Sequence, residues 1–289
     1  MSTERFVLQQ QRDLGQIIEA AVSIYSQHFW QFFSIAAVLI PFGILSSVLT
    51  ALLPSIDNPV DEEEVARVLV IAVAILLPLA ILQAIAQWIA SLAIMAAVAD
   101  LDAEREPELS HAMRQRGSDF SRAYQAVFSR FWTLFGASLR AAIVVIPFLA
   151  IFGISFALYL GAPAILGLAQ FVLFIPVLWA IRQAIRWLFI HQAVLFDGTS
   201  ARAALSYSAD AVQGRWWRTL GIAITLLIIV QVPAAVIGAL VGFAPALISD
   251  TAGAVITAAI LPLGVIAMTL LYLDLKARRE TDVQGFGPA

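Results

Sequence analysis

Few residues in this chain are able to do acid–base or metal chemistry, and they are widely spaced. The three histidines, His28, His111 and His191, have no second histidine, cysteine or carboxylate at i+3 or i+4. A metal site on a helix needs a second ligand at that spacing. The chain also has no cysteine, so thiolate ligands and disulfides are excluded. The sequence therefore predicts no metal site and no bound cofactor.

Enzyme motifs are missing as well. The chain contains no H-E-x-x-H, no G-x-x-x-x-G-K-[ST], no G-x-S-x-G and no dinucleotide-binding glycine pattern. Asp100 and Asp102 form a close carboxylate pair, but they end a long apolar run, where a solvated helix end is the simpler interpretation. We therefore expect a protein that is not an enzyme.

Five polar side chains inside or at the ends of apolar runs are the remaining candidates for a binding site: Arg140, Arg182, Arg186, Gln83 and Gln87. Polar groups are costly in a membrane and often mark binding sites or pathways. Arg182 and Arg186 are one helical turn apart, as are Gln83 and Gln87. Because guanidinium groups bind phosphates and carboxylates through paired hydrogen bonds, an anion or lipid site is expected. The alternative is that the arginines only reach the headgroup layer and set the topology.

Composition indicates the elements that must position these side chains. The chain is 61% hydrophobic and only 13% charged, whereas soluble proteins are about 25% charged. A membrane-spanning helix needs roughly 20 apolar residues, and six runs reach that length. The pattern predicts an all-α polytopic bundle of six transmembrane helices, each kinked at a proline. The six runs cover residues 30–53, 66–99, 132–160, 162–181, 218–247 and 253–273.

The runs follow one plan three times, which predicts a single membrane domain (1–289) built from internal repeats at about 13–100, 118–197 and 200–275. Each repeat consists of an interfacial amphipathic helix followed by two transmembrane helices, and a polar tail (276–289) ends the chain. The first span of each repeat opens on an aromatic pair: Phe29-Trp30, Phe131-Trp132 and Trp216-Trp217. The apolar stretches at 66–99 and 164–196 exceed the bilayer thickness, so we expect those helices to protrude or tilt.

The distribution of basic residues predicts the orientation. They lie before the first run, between the second and third, between the fourth and fifth, and after the sixth. Because basic loops stay in the cytoplasm, both termini are expected there. The first 28 residues lack the apolar core of a signal peptide, so the first span is the expected insertion signal. Lys276 is the one lysine among 17 basic residues, a bias typical of GC-rich bacterial genomes, so the bacterial inner membrane is the expected location.

Three segments of the chain resemble the membrane-domain family associated with glycerophosphoryl diester phosphodiesterases, which are bacterial six-span integral proteins. They are 14–30, 204–217 and 271–280. The resemblance covers nearly the whole chain in pattern, through short and degenerate motifs. In that family the membrane region can accompany a separate hydrolase domain whose catalysis relies on a His-Arg step with metal-binding acids. Here His28, His111 and His191 are followed by Phe, Ala and Gln, so the resemblance implies no enzymatic activity.

These patterns favour a non-enzymatic inner-membrane protein that binds membrane lipids or a protein partner through its cytoplasmic face. The amphipathic helices have two interpretations: they pack on the bundle and anchor its aromatic residues at the interface, or they form a docking surface for a partner or for headgroups. The polar segment 101–117 is the best candidate for a soluble contact. The alternative is a transporter or flippase-like permease for a small or lipidic anionic substrate, in which kinked helices open a path. A membrane-embedded enzyme has the least support, and nucleic acid is not expected as a partner.

Overall fold

The computed structural model describes residues 10–52, 62–103, 119–161, 163–244 and 246–285, and every regular element in these residues is a helix. The predicted all-α class is confirmed for this part of the chain. Most of the acidic segment 54–65 and of the polar segment 101–117 lies outside the described residues. The helices are α1 (Leu14–Gln27), α2 (Phe29–Ala36), a 3₁₀ turn (Ala37–Leu39), α3 (Ile40–Ala51), α4 (Glu62–Ala103), α5 (Asp119–Ser129), α6 (Phe131–Gly161), α7 (Pro163–Arg186), α8 (Ile190–Asp197), α9 (Ala203–Val212), α10 (Trp216–Val241) and α11 (Ala246–Gly285).

Five stretches of helix in the described residues are long and apolar enough to cross a membrane. The predicted fourth span, 162–181, coincides with α7, but the side chains up to residue 174 lie outside the described ones. Many large apolar side chains on the long helices face outward, which suits lipid contact better than water contact. The five stretches are Phe29–Ala51, Val65–Leu101, Phe131–Phe156, Trp216–Val241 and Ile248–Asp282.

The prolines of the spans differ in whether the α-helix is interrupted next to them. In the first span the α-helix stops at Ala36, passes through the 3₁₀ turn and resumes at Ile40, directly before Pro41. A proline clashes with the carbonyl four residues earlier, and for Pro41 that residue is Ala37, where the turn begins. The remaining prolines of the spans lie inside continuous α-helices: Pro78, Pro147, Pro176, Pro233 and Pro262.

One of the two expected overlong helices is continuous and the other is broken. Helix α4 runs unbroken for 42 residues. The stretch 164–196 instead forms α7, a turn at 187–189 and then α8. At this break the buried Ser208 hydroxyl accepts a hydrogen bond from the Phe189 N–H (3.1 Å) and donates one to the Arg186 carbonyl (2.8 Å). A side chain from α9 thus replaces backbone hydrogen bonds that a continuous helix would make.

The chain forms two compact units. The first unit comprises Met1–Arg12, Phe128–Ala223 and Leu271–Ala289, and its buried residues include Leu134 and Phe189. The second comprises Asp13–Val127 and Ile224–Leu270. All charged clusters described below belong to the first unit.

The second unit packs closely enough to exclude larger side chains. A methyl group added at Gly43 of α3 would lie 2.3 Å from the Ala254 Cβ of α11. The Tyr124 hydroxyl of α5 donates to the Ile35 carbonyl (2.9 Å) and thereby ties α5 to α2. Asp13 precedes α1, as its predicted N-cap, and the Gln16 side chain accepts a hydrogen bond from the Asp13 N–H (3.0 Å).

Candidate functional site

Helices α6 and α7 form an antiparallel hairpin that aligns two of the predicted arginines. The helices are consecutive, and the rings of Phe148 and Trp179 lie with centroids 4.8 Å apart. From this contact, about two turns toward the start of α6 lead to Arg140, and about two turns toward the end of α7 lead to Arg186. Arg140 and Arg186 therefore lie at one level of the hairpin, and Arg182 lies one turn away along α7.

Contacts between the start of α6 and the chain after α7 continue into α8. The Ser138 hydroxyl lies 2.7 Å from His191 Nε2, and Arg130 Nη1 donates to the Val194 carbonyl (2.8 Å) and the Leu195 carbonyl (3.2 Å). These contacts hold α8 against the beginning of α6, at the end of the hairpin that carries the arginines.

The predicted arginines are accessible. Arg140 and Arg182 are exposed, and Arg186 is partly buried. Arg140 Nη1 donates to the Gly136 carbonyl one turn back (3.1 Å), so its side chain reaches toward the start of α6. Arg186 Nη1 donates to the amide oxygen of Gln183 (3.1 Å). Long basic side chains take this course when they reach from an apolar helix toward a headgroup layer.

The two predicted glutamines lie on α4 in the second unit. Gln87 is exposed and Gln83 is half-buried. The Gln87 carbonyl accepts a hydrogen bond from the Ser91 hydroxyl of the same helix (2.8 Å). The glutamines therefore belong to a different unit from Arg140, Arg182 and Arg186.

A difference in pairing separates these arginines from other basic residues of the first unit. Among the described residues, Arg140, Arg182, Arg186 and Arg202 have no carboxylate within ion-pair distance. A guanidinium group without a carboxylate partner keeps its charge and its remaining N–H donors available to an external anion. The basic residues that do have acidic partners are Arg215, Arg218, Lys276, Arg278 and Arg279.

The strongest pairing is the Asp274 cluster, formed by Arg12, Arg218, Asp274 and Arg278. The Asp274 carboxylate is fully buried and accepts from Arg218 Nη1 (2.6 Å), Arg278 Nε (2.8 Å) and the Arg12 backbone N–H (2.7 Å). Both guanidinium groups also donate to the Arg12 carbonyl, at 2.8 Å and 3.1 Å. Because every partner is charge-complementary or a hydrogen-bond donor, the buried charge is compensated.

A second acid, Asp197 at the end of α8, binds residues from two other helices, α9 and α11. Its carboxylate accepts hydrogen bonds from Lys276 Nζ (2.5 Å), from the Tyr272 hydroxyl and from the Tyr207 hydroxyl (3.4 Å). Burial and the neighbouring Asp197 charge raise the pKa of Tyr207. The Arg279 guanidinium stacks over the Tyr207 ring, 5.7 Å from its centroid. These contacts tie α8 and α9 to the end of α11.

Asp274 and Asp197 are not among the site residues that the sequence predicts. One signal was available for Asp274, because it lies in a run of apolar residues and has Arg278 one turn later, at the spacing of a helical ion pair. Its pairing with Arg218 and the Arg12 backbone joins residues far apart in the chain, and no local spacing predicts such a contact.

Ser138 and His191 are in direct contact across α6 and α8. The Ser138 hydroxyl lies within hydrogen-bond distance of both the Leu134 carbonyl (3.0 Å) and His191 Nε2 (2.7 Å). Burial lowers the pKa of His191 to about 4, which keeps the ring neutral near pH 7. Within the described residues no three His, Cys, Asp or Glu side chains group as a metal site.

An exposed tryptophan lies near the start of three of the apolar stretches that are long enough to cross a membrane. Trp30, Trp132 and Trp217 are 76%, 79% and 78% exposed. Each packs edge-on against the aromatic residue before it, with interplanar angles of 77°, 76° and 86°. Tryptophans with this exposure are typical of the boundary between hydrocarbon and headgroups.

Comparison of the chain with protein-family models, with curated proteins and with solved structures returns no match. What the chain does is therefore inferred from the geometry of its own side chains.

Proposed function

We propose that this chain is a non-enzymatic integral protein of the bacterial inner membrane that binds anionic lipid headgroups through Arg140, Arg182 and Arg186. The observation that carries this proposal is their pairing state: these guanidinium groups have no carboxylate partner in the described structure, whereas Arg218 and Arg278 do. A phosphate group supplies the charge that the protein leaves uncompensated.

Membrane insertion is supported by the surface of the long helices. Stretches that are long and apolar enough to cross a bilayer present large apolar side chains outward, where water contact would be unfavourable. The exposed Trp30, Trp132 and Trp217 suit the interfacial layer. Arg140 lies about two turns beyond Trp132, and its guanidinium reaches back toward that level.

We extend the proposal to six spans with both termini in the cytoplasm, and we count α7 as the fourth span. The order of elements supports three repeats, because α1, α5 and α9 are short helices that each precede two longer helical stretches. The matching edge-on aromatic pairs at the start of each first span support the same repeat. Membership in the membrane-domain family associated with glycerophosphoryl diester phosphodiesterases remains part of this proposal.

A second candidate function is transport of a small or lipidic anion. Its support is the set of prolines inside the long helices, among them Pro147 and Pro233, since prolines in membrane-spanning segments accompany many transport pathways. The same arginines would then bind the substrate on its way across. A protein partner at the cytoplasmic face is a third use of the same surface.

Native mass spectrometry of the protein released from nanodiscs tests lipid binding. The nanodiscs contain equal amounts of phosphatidylglycerol and phosphatidylcholine, so selective retention of the anionic lipid is measured directly. We expect Arg140→Gln, Arg182→Gln and Arg186→Gln each to weaken phosphatidylglycerol retention, roughly fivefold per arginine. The matched control is Arg279→Gln, which also removes one positive charge, but from an arginine 3.7 Å from the Asp210 carboxylate.

Selective retention by the wild type and the control, together with loss in the three variants, supports the proposal. Equal and unselective retention by all five proteins contradicts it. Uptake of an anion into proteoliposomes that depends on Arg140 would favour the transport function instead.

A further inference from the structure

We propose that Gly136 forms the floor of a phosphate-binding site whose cationic groups are Arg140 and Arg202. This inference rests on the proposed function and deepens it, because it names a positioning residue, a further arginine and the ligand class. The ligand chemistry is a phosphate group, either in a lipid headgroup or as free inorganic phosphate.

Two neighbours lie close to the position where a side chain of residue 136 would begin. A Cβ atom at this position would lie 3.2 Å from Arg140 Nη1 and 3.5 Å from the Ala201 Cβ. The first distance is tighter than an ordinary van der Waals contact, so the guanidinium group rests on the bare backbone of Gly136 and donates to its carbonyl. Glycine allows this close approach because it has no Cβ.

Ala201 places the residue next to a second arginine against Gly136. The segment between α8 and α9 passes Gly136 at Ala201, and Arg202 follows as the residue before α9. Arg202 is exposed and, like Arg140, has no carboxylate within ion-pair distance in the described residues. Arg140 thus lies on Gly136, Arg202 is bonded to the residue that contacts Gly136, and a phosphate with several acceptor oxygens is a ligand that both long side chains could contact.

Substitution of Gly136 by alanine separates positioning from folding. The added methyl group pushes against the end of a flexible side chain, which can move aside without disturbing the helix backbone. Alanine also favours a helix more than glycine does, so the melting temperature of Gly136→Ala should be unchanged or higher by roughly 1–3 °C. Retention of phosphatidylglycerol should nevertheless fall about as much as in Arg140→Gln, because the methyl group displaces the Arg140 guanidinium from the backbone of residue 136.

Gly153→Ala is the matched control. It lies in the same helix α6, and a Cβ atom at Gly153 would have no heavy atom within 4 Å. It should gain the same small increase in melting temperature and retain lipid like the wild type. Arg202→Gln should weaken phosphatidylglycerol retention roughly fivefold.

The source of the phosphate is distinguished by offering each source separately. Wild-type protein in phosphatidylcholine nanodiscs with inorganic phosphate tests the free anion, and phosphatidylglycerol nanodiscs without it test the headgroup. If Arg140→Gln weakens retention but Gly136→Ala and Arg202→Gln do not, this inference is overturned while the proposed function stands. If Arg140→Gln itself retains lipid like the wild type, the proposed function fails with it.

Discussion

The Asp274 carboxylate lies 2.6 Å from Arg218 Nη1, although 56 residues separate them in the chain. The carboxylate is fully buried, and the same two residues enclose the backbone of Arg12, which donates to Asp274 and accepts from Arg218. The residues before α1 are thereby joined to α10 and α11 within one compact unit. In this cluster one partner of the buried charge, Arg278, lies one turn away on the same helix, whereas Arg218 and Arg12 come from distant parts of the chain.

Replacement of Asp274 by asparagine should destabilise the first unit strongly. It leaves the guanidinium groups of Arg218 and Arg278 without their buried counter-charge, and breaking such a pair typically costs about 3–5 kcal/mol. Thermal unfolding in mild detergent measures the loss. The control is Asp282→Asn at the exposed ion pair with Arg215, where the expected cost is below about 1 kcal/mol. Similar melting temperatures for the two variants would contradict a dominant role for the buried carboxylate.

The same substitution should expose the Arg12–Asp13 peptide bond to trypsin. In the wild type Arg12 is only 2% exposed, and its N–H and carbonyl are both bound in the Asp274 cluster. We expect cleavage after Arg12 to be slow in the wild type and in Asp282→Asn, and at least tenfold faster in Asp274→Asn. Mass spectrometry of the fragments identifies the cut. Rapid cleavage after Arg12 in the folded wild type would show that the cluster does not hold this segment.

Stability should fall as the pH is lowered through the acidic range, in part because of His191. Burial lowers its pKa to about 4, below the ordinary value of 6.5, so the unfolded chain binds a proton before the folded one does. The contribution of neutral His191 to the free energy of unfolding is fully present above about pH 6.5. As the pH falls toward 4, the free energy of unfolding decreases by up to about 3 kcal/mol.

His191→Gln removes the titrating group and can still donate a hydrogen bond toward Ser138. Its melting temperature should therefore depend less on pH between 7 and about 4 than that of the wild type. Equal pH dependence in the two proteins would exclude His191 as a source of acid sensitivity.

The break between α7 and α8 should depend on the hydroxyl of Ser208. Ser208→Ala leaves the Phe189 N–H and the Arg186 carbonyl without this partner, in a site closed to water. An unsatisfied buried group costs roughly 1–3 kcal/mol, which a melting curve can detect. Ser206→Ala on the exposed side of α9 removes only a hydroxyl that donates to Ala203 of its own helix, and it should be nearly neutral. Equal stability of both variants would mean that the break does not need Ser208.

The proposed orientation can be tested by labelling single introduced cysteines. The chain has no cysteine of its own, so only the introduced one reacts. Gln213 precedes α10 and Asp250 lies just beyond its far end, at the start of α11, and both are exposed. With the termini in the cytoplasm, a membrane-impermeant maleimide added to spheroplasts should label Asp250→Cys and leave Gln213→Cys unlabelled until the cells are opened. The reverse pattern would invert the orientation, and labelling of both would mean that α10 does not cross.

Local features of this chain were readable from its residue pattern. Long apolar runs predict the long helices, because length and hydrophobicity are properties of one continuous segment. Asp13 signalled the start of α1, and Pro41 signalled an interruption of the first span, since caps and prolines act on the backbone within a turn. The edge-on packing of Trp30, Trp132 and Trp217 on the preceding aromatic residues is also local, and their positions were evident from the paired aromatics.

Contacts between distant segments were decided by packing alone. The sequence pattern of 164–196 predicts one helix. The break between α7 and α8 is explained by the hydrogen bonds that Ser208 of α9 makes there. Arg140 and Arg186 reach one level because the hairpin register brings them there. In the sequence Gly136 cannot be distinguished from other helical glycines, and its close contact with Ala201 is evident only in the structure. The reason is physical: hydrophobic period and chain length specify where a helix forms, whereas the partners of a buried charge or a bare backbone are specified by how separate helices meet.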